Sequence, residues 1–197
     1  MKLKTLSLVI CMLLVSLFKA QSNTTDYLSI PGPLDFNGTE YFLVWSKQVS
    51  PTLLVQQYLP KDEELENFSQ LITISYFNKD INVEQAIRQK VEIVQELGEK
   101  DKLAKIDISE NPDGTEYIVD YSLSGKNKSE SPYLEYSVDR FKKFQNGKKP
   151  MLIFSYKKRM YGDDLKGASK AISKQRNQLI TSTIEYAVPI IQLKSAE

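Results

Sequence analysis

The sequence of 197 residues has no histidine and only one cysteine, Cys11, and these absences exclude several classes of chemistry. Without histidine there is no Ser-His-Asp triad and no imidazole general base. Cys11 lies inside an N-terminal apolar run, so the rest of the chain has no thiol nucleophile and no cysteine-based zinc or iron–sulfur site. Glycine-rich phosphate loops of the GxxxxGKS/T and GxGxxG types are absent too. We therefore expect neither a cofactor nor a metal.

The first twenty residues have the pattern of a secretory signal. Lys2 and Lys4 precede an apolar run over 6–17, and Ala20 offers a small residue for cleavage. This run is shorter than the roughly 20 residues of a transmembrane helix. Cys11 sits in the middle of the run and follows Ile10, which argues against a lipid-bearing cysteine. We expect residues 1–20 to be removed and the mature chain, without a transmembrane segment, to be periplasmic or secreted.

The remaining length suits one domain preceded by a short leader. Residues 21–38 are polar and rich in turn formers, which predicts an extended leader. Residues 39–193 carry the alternating apolar patterns of a folded domain. The composition, 41% apolar and 26% charged, is ordinary for a globular protein.

The pattern of strands and helices predicts an α+β fold. Strands are expected at 41–46, 53–59, 71–77, 105–109, 117–123, 134–138 and 151–161. An apolar stripe from Val83 to Leu97 predicts one helix, with Asn82 as its N-cap and Gly98 as its stop. A second helix is expected from about Leu165 to Pro189. Clustered strands with two main helices indicate an antiparallel sheet covered by helices, an α/β sandwich.

Charge is distributed unevenly along the chain. Residues 61–101 carry ten acidic and five basic side chains, whereas residues 139–176 carry twelve basic and three acidic ones. If the last two strands pair, the basic side chains are expected to gather at one end of the sheet and attract an anionic surface, ligand or protein partner. The alternative is a solvated basic surface, or lysines that protect a sheet edge. The candidate patch comprises Arg140, Lys142, Lys143, Lys148, Lys149, Lys157, Lys158 and Arg159.

Two smaller sets of residues are further candidates. Trp45 and Tyr121 are candidates to line a pocket for a small apolar ligand, although both also suit a core. Asp163 and Asp164, together with Arg159, are candidates for a histidine-free hydrolase or lyase site. Helix capping explains the two aspartates equally simply.

One segment resembles exported PsbP-like and DcrB-like domains. It runs Gln57-Tyr58-Leu59-Pro60 and then Leu65-Glu66-Asn67-Phe68-Ser69-Gln70-Leu71-Ile72-Thr73. In those domains a strand ends in proline, an acidic bridge with an Asn-aromatic-Ser/Thr follows, and another strand begins. The resemblance implies a helix-covered antiparallel sheet and an accessory or binding role. It carries no catalytic residues over to this chain.

The expected function is therefore a non-enzymatic, exported bacterial binding or accessory domain of the cell envelope. Its partner is an unknown protein or an anionic surface or ligand, and nucleic acid is not expected. The alternatives are a carrier of a small apolar ligand and a hydrolase or lyase that uses Asp163 and Asp164.

Overall fold

Eight strands form a single antiparallel sheet in a computed structural model that describes residues 24–112, 114–143 and 150–193. The strand order is β1-β2-β3-β4-β8-β7-β6-β5. The strands are β1 (Leu34–Phe36), β2 (Thr39–Ser50), β3 (Leu53–Pro60), β4 (Gln70–Phe77), β5 (Lys105–Glu110), β6 (Glu116–Lys126), β7 (Pro132–Lys143) and β8 (Met151–Tyr161). The helices are α1 (Val83–Gly98) and α2 (Ala168–Glu185), and a 3-10 turn covers Gly162–Gly167.

The predicted α/β sandwich is wrong, because the sheet is too large for its helices. The eight strands curl into a half-barrel, and only two α-helices accompany them in the described residues. The predicted bounds are confirmed for β8 but are too short for β6 and β7, which are eleven and twelve residues long and pair along nearly their whole length. Long strands twist, and the twist curls the sheet. The two helices leave part of the curled sheet uncovered, and segments without helical structure cover that part.

The two helices lie on opposite faces of the sheet. Side chains alternate between faces along each strand, so the partners Val119 and Asp139 face one way and Ile118 and Arg140 face the other. Helix α1 packs on the face that carries Val119, Tyr121 and Phe141. Helix α2 packs on the opposite face, against a larger core that includes Tyr136, Val138 and Phe154. Strands β6–β8 are thus covered on both sides.

Helix α1 begins and ends where its sequence predicts. The Asn82 side chain accepts a hydrogen bond from the Gln85 backbone N–H at 2.9 Å, which confirms the N-cap, and the helix ends at Gly98. Val83, Ile87 and Val94 are its buried residues.

The segment before β1 is part of the core. Leu28 and Ile30 are 0% and 2% exposed. The Leu28 backbone N–H donates to Oε1 of Gln56 at 2.9 Å, and the Tyr58 hydroxyl donates to the Ile30 carbonyl oxygen at 2.8 Å. Within the predicted leader at 21–38, the residues from Leu28 onward pack into the folded domain.

The chain reaches α2 through the 3-10 turn. Asp163 and Asp164 lie in that turn and are exposed, and the α-helix begins only at Ala168. The helix N-cap position is Gly167, which has no side chain to cap with. Neither aspartate therefore caps α2 as the sequence suggested.

Candidate functional site

A cleft of about 390 Å³ lies between α1 and the sheet face beneath it. Helix α1 contributes its C-terminal half, and β6, β7 and β8 contribute the floor. The lining residues are Lys90, Ile93, Val94, Leu97, Tyr121, Leu123, Ser124, Tyr133, Glu135, Lys157 and Arg159. The volume lies within the range typical of small-molecule sites. One wall is apolar and the floor is charged.

Glu135 is the centre of the charged floor. Its carboxylate accepts from Lys157 Nζ at 2.7 Å and from Arg159 Nε at 2.7 Å, one partner on each oxygen. The strand register explains the cluster, because Glu135 pairs with Arg159 and the neighbouring Ser137 pairs with Lys157. Burial alone would raise the pKa of the Glu135 carboxyl, but the charges and hydrogen bonds of Lys157 and Arg159 outweigh burial and lower it. All three groups are therefore ionised at neutral pH.

Asp139 lies behind the floor and is 1% exposed. Lys90 Nζ approaches its Oδ2 to 2.8 Å, yet neither carboxylate oxygen accepts a well-directed hydrogen bond within the described residues. Lys90 also donates to the Tyr121 hydroxyl at 3.3 Å. Burial, the largest single cause, would lower the pKa of Lys90, but Asp139 and Tyr121 together outweigh burial and raise it. Lys90 is therefore a charged residue that links α1 to Asp139 and Tyr121 of the sheet.

Aromatic rings hold the Arg159 guanidinium in a fixed plane. Its Cζ lies 3.9 Å from the ring centroid of Phe68 and 4.2 Å from that of Tyr133. Tyr133 lies across from Gly125, where an added Cβ would come within 2.6 Å of the ring. The missing side chain at Gly125 therefore makes room for Tyr133 against Arg159. Stacked cations of this kind lose little freedom when they bind a further group.

The two carboxylates at the cleft are poorly placed for proton transfer. Glu135 already accepts from two cations and its pKa is lowered, which makes it a weak base. Asp139 is almost fully buried and lies close to one lysine. The arrangement places fixed cations beside an apolar wall.

The structure does not bring the predicted basic patch together. Because β7 and β8 run antiparallel, Arg140, Lys142 and Lys143 lie at one end of the pair and Lys157, Lys158 and Arg159 at the other. Lys157 and Arg159 face α1, whereas Lys158 faces α2 and donates to Gln175 at 2.8 Å. Lys148 and Lys149 lie outside the described residues.

Arg140 and Lys142 instead share a second glutamate, Glu116. Arg140 Nη2 lies 2.6 Å and Lys142 Nζ 2.7 Å from its oxygens. Arg140 Nη1 also donates to the carbonyl oxygens of Thr183 and Tyr186, at 3.3 and 2.9 Å, at the end of α2. A cation there complements the negative end of the helix dipole. The Arg140 guanidinium therefore links the end of α2 to the sheet.

A third charged cluster fixes α2 on its own face. Asp120 is 3% exposed and accepts from Arg176 Nε and Nη2, both at 2.7 Å, and from the Tyr136 hydroxyl at 3.0 Å. Burial and the Asp120 charge raise the pKa of Tyr136. The adjoining space measures about 160 Å³, which is too small for most organic ligands.

The other predicted site residues do not converge. Tyr121 lines the cleft, but Trp45 lies on β2, from which β6 is separated by four strands, so the two do not share a pocket. Asp163 is fully exposed and reaches Lys166 at 3.9 Å. Arg159 lies in the cleft with Glu135, not with Asp163 and Asp164.

The described residues contain neither a metal-binding cluster nor a membrane-spanning helix. No group of three or more histidine, cysteine, aspartate or glutamate side chains is placed to hold a metal ion there. No helix among residues 24–112, 114–143 and 150–193 is long and apolar enough to cross a membrane. The predicted signal at 1–20 lies outside the described residues.

Four residues at the cleft were not predicted from the sequence: Lys90, Tyr133, Glu135 and Asp139. The signal for Lys90 was present, because it lies between Ile87 and Val94 on the apolar stripe of α1. Glu135 and Asp139 alternate with buried residues on β7, which suggested a solvent-facing side. Helix α1 covers that side, so the polar residues are buried too.

Comparisons with known proteins give a family match without a function. A protein-family profile matches residues 28–188, and that family is uncharacterised. The match shows no PsbP-like or DcrB-like resemblance. No curated protein and no solved structure matches the chain.

Proposed function

We propose that this chain, which belongs to the uncharacterised family matched over residues 28–188, is an exported bacterial binding domain of the cell envelope without catalytic activity. Its binding site is the cleft between α1 and the sheet, and its ligand is a small amphipathic molecule. The signal-like pattern of residues 1–20 supports export. The absence of histidine and of a cysteine after Cys11 supports a role other than catalysis.

One observation carries this proposal: a charged floor and an apolar wall meet in a single cleft. Ile93 and Leu97 are 53% and 65% exposed, although both lie on the helix that covers the cleft. Leu123 continues the apolar wall on β6. Lys157 and Arg159 lie on the floor, where a polar group of a ligand can reach them. A molecule with an apolar part and a polar end fits both surfaces at once.

Binding of a neutral apolar dye, N-phenyl-1-naphthylamine, tests the cleft. We expect its fluorescence to rise on mixing with the protein, since the dye leaves water for the apolar wall. The Leu97→Gln variant is expected to bind about fivefold more weakly, because a polar amide replaces an apolar contact. Fluorescence titration measures both affinities.

Ile184→Gln is the matched control. Ile184 is 46% exposed on α2 and does not line the cleft. This variant is expected to bind the dye like the unsubstituted chain. If both variants weaken dye binding equally, or if neither changes the dye affinity, the dye binds elsewhere and the proposed site is contradicted.

A further inference from the structure

We infer that the ligand of this cleft is an organic anion, with a carboxylate head on the charged floor and an alkyl chain along the apolar wall. The inference rests on the proposed function, since it names the chemical class of ligand for the same site. Three features carry it: the charge that lines the cleft, the contrast with a similar cluster at Glu116, and the position of Lys157 in the cleft.

The lining of the cleft has an excess of positive charge. Its ionised side chains are the three cations Lys90, Lys157 and Arg159 and the one carboxylate Glu135. Asp139 lies behind Lys90 and balances it, at 2.8 Å. Glu135 faces both Lys157 and Arg159, at 2.7 Å each, and Asp139 also acts on Lys157, so the three cations share two carboxylates. One positive charge on this half-buried floor has no counter-charge among the described lining residues.

A second glutamate of the chain also faces two cations, and there the additional positive charge has further acceptors. Arg140 and Lys142 share Glu116, but Arg140 also donates to the carbonyl oxygens of Thr183 and Tyr186 at the end of α2. That helix end supplies partial negative charge. At Glu135 the second cation, Arg159, instead lies against the Phe68 and Tyr133 rings, and Lys157 borders the cleft. A partly buried cation is costly without a partner, so an anion that enters the cleft is favoured.

Lys157 is the residue best placed to bind the head group. An ammonium has three N–H donors, and the Glu135 Oε1 atom accepts from one of them. About 27% of the Lys157 side chain is exposed, against 15% for Arg159. Arg159 is held between the Phe68 and Tyr133 rings and adds its charge from a fixed position. A carboxylate on Lys157 leaves the alkyl chain to run toward Ile93, Leu97 and Leu123.

A cationic ligand does not fit the same floor. The Glu135 oxygens already accept from Lys157 and Arg159, and a ligand ammonium would have to displace one of them. Asp139 is 1% exposed and Lys90 lies beside it. Neither carboxylate is available at the surface of the cleft.

Three probes with the same eight-carbon chain test the head group: octanoate, octan-1-ol and octylammonium. Each probe is titrated at neutral pH against protein that holds N-phenyl-1-naphthylamine, and displacement of the dye gives its affinity. We expect octanoate to bind about tenfold more tightly than octan-1-ol, because a charge-assisted hydrogen bond forms with Lys157. Octylammonium is expected to bind the most weakly. The Lys157→Gln variant should lose the tenfold preference for octanoate over octan-1-ol.

The outcomes separate this inference from the proposed function. If octan-1-ol or octylammonium binds as tightly as octanoate to the unsubstituted chain, the anionic head group is refuted while the amphipathic cleft stands. If no octyl compound displaces the dye, the cleft itself fails as the site. An octanoate preference that survives Lys157→Gln also overturns the assignment of Lys157. The head-group comparison uses the unsubstituted chain, so it holds even if the variant folds poorly.

Discussion

A chain that carries both Leu28→Ala and Ile30→Ala is expected to lose most of its free energy of unfolding. Both side chains are almost fully buried, at 0% and 2% exposed, in the core beneath α2. Truncating a buried leucine or isoleucine to alanine costs about 2–5 kcal/mol at each site. Domains of this size are stable by only about 5–15 kcal/mol. Urea unfolding followed by the fluorescence of Trp45 and by circular dichroism measures the loss.

Val49→Ala is the control for this prediction. Val49 is 52% exposed on β2, so its truncation is expected to change stability by no more than about 0.5 kcal/mol. A double variant at Leu28 and Ile30 that unfolds within about 1 kcal/mol of the unsubstituted chain would mean that the segment before β1 is not part of the folded domain. The family match begins at the same residue, Leu28.

The second large effect is expected at Lys90. The Lys90→Met variant keeps the aliphatic length of the side chain but removes the cation that forms an ion pair with the buried Asp139 carboxylate. An unpaired buried charge of this kind costs about 3–5 kcal/mol. We therefore expect Lys90→Met to lower the free energy of unfolding by about 3 kcal/mol in urea titrations at neutral pH.

The matched control adds Asp139→Asn to Lys90→Met. The double variant removes both charges, so we expect it to regain at least about half of the lost stability. Equal stability of the Lys90→Met variant and the unsubstituted chain would show that Asp139 does not depend on Lys90. A double variant no more stable than the single one would show that the loss comes from packing rather than charge.

The local elements of the fold could be predicted from the sequence, because their signals are local. Asn82 and Gly98 mark the bounds of α1, and alternation marks the long strands β6 to β8. The arrangement of those strands could not be predicted, because it depends on pairings distant in the chain. Strand β4 pairs with β8, more than seventy residues later, and this pairing joins the two halves of the sheet. The curl of the sheet and the placement of one helix on each face follow from that pairing.

The candidate site could be predicted only in part, for a related reason. Lys157, Arg159 and Tyr121 were among the predicted residues, since charge and aromatic character are visible in the sequence. Their separation from Arg140 and Lys142 follows from the antiparallel register. Glu135 lowers the net charge of the cleft, and its role depends on α1, which packs over a strand face that alternation alone marks as solvent-exposed. Burial of a polar strand face by a distant helix leaves no local signal.

The most direct test of the cleft as the binding site is a two-dimensional ¹H–¹⁵N NMR titration of the protein with octanoate. The proposed cleft predicts that the largest saturable amide shifts cluster on α1 from Lys90 to Leu97 and on the facing parts of β6, β7 and β8, around Tyr121, Glu135 and Lys157. Shifts centred on Trp45 in β2 or on the Arg176 cluster beneath α2 would contradict the cleft as the binding site. So would a spectrum unchanged at octanoate concentrations that displace the dye.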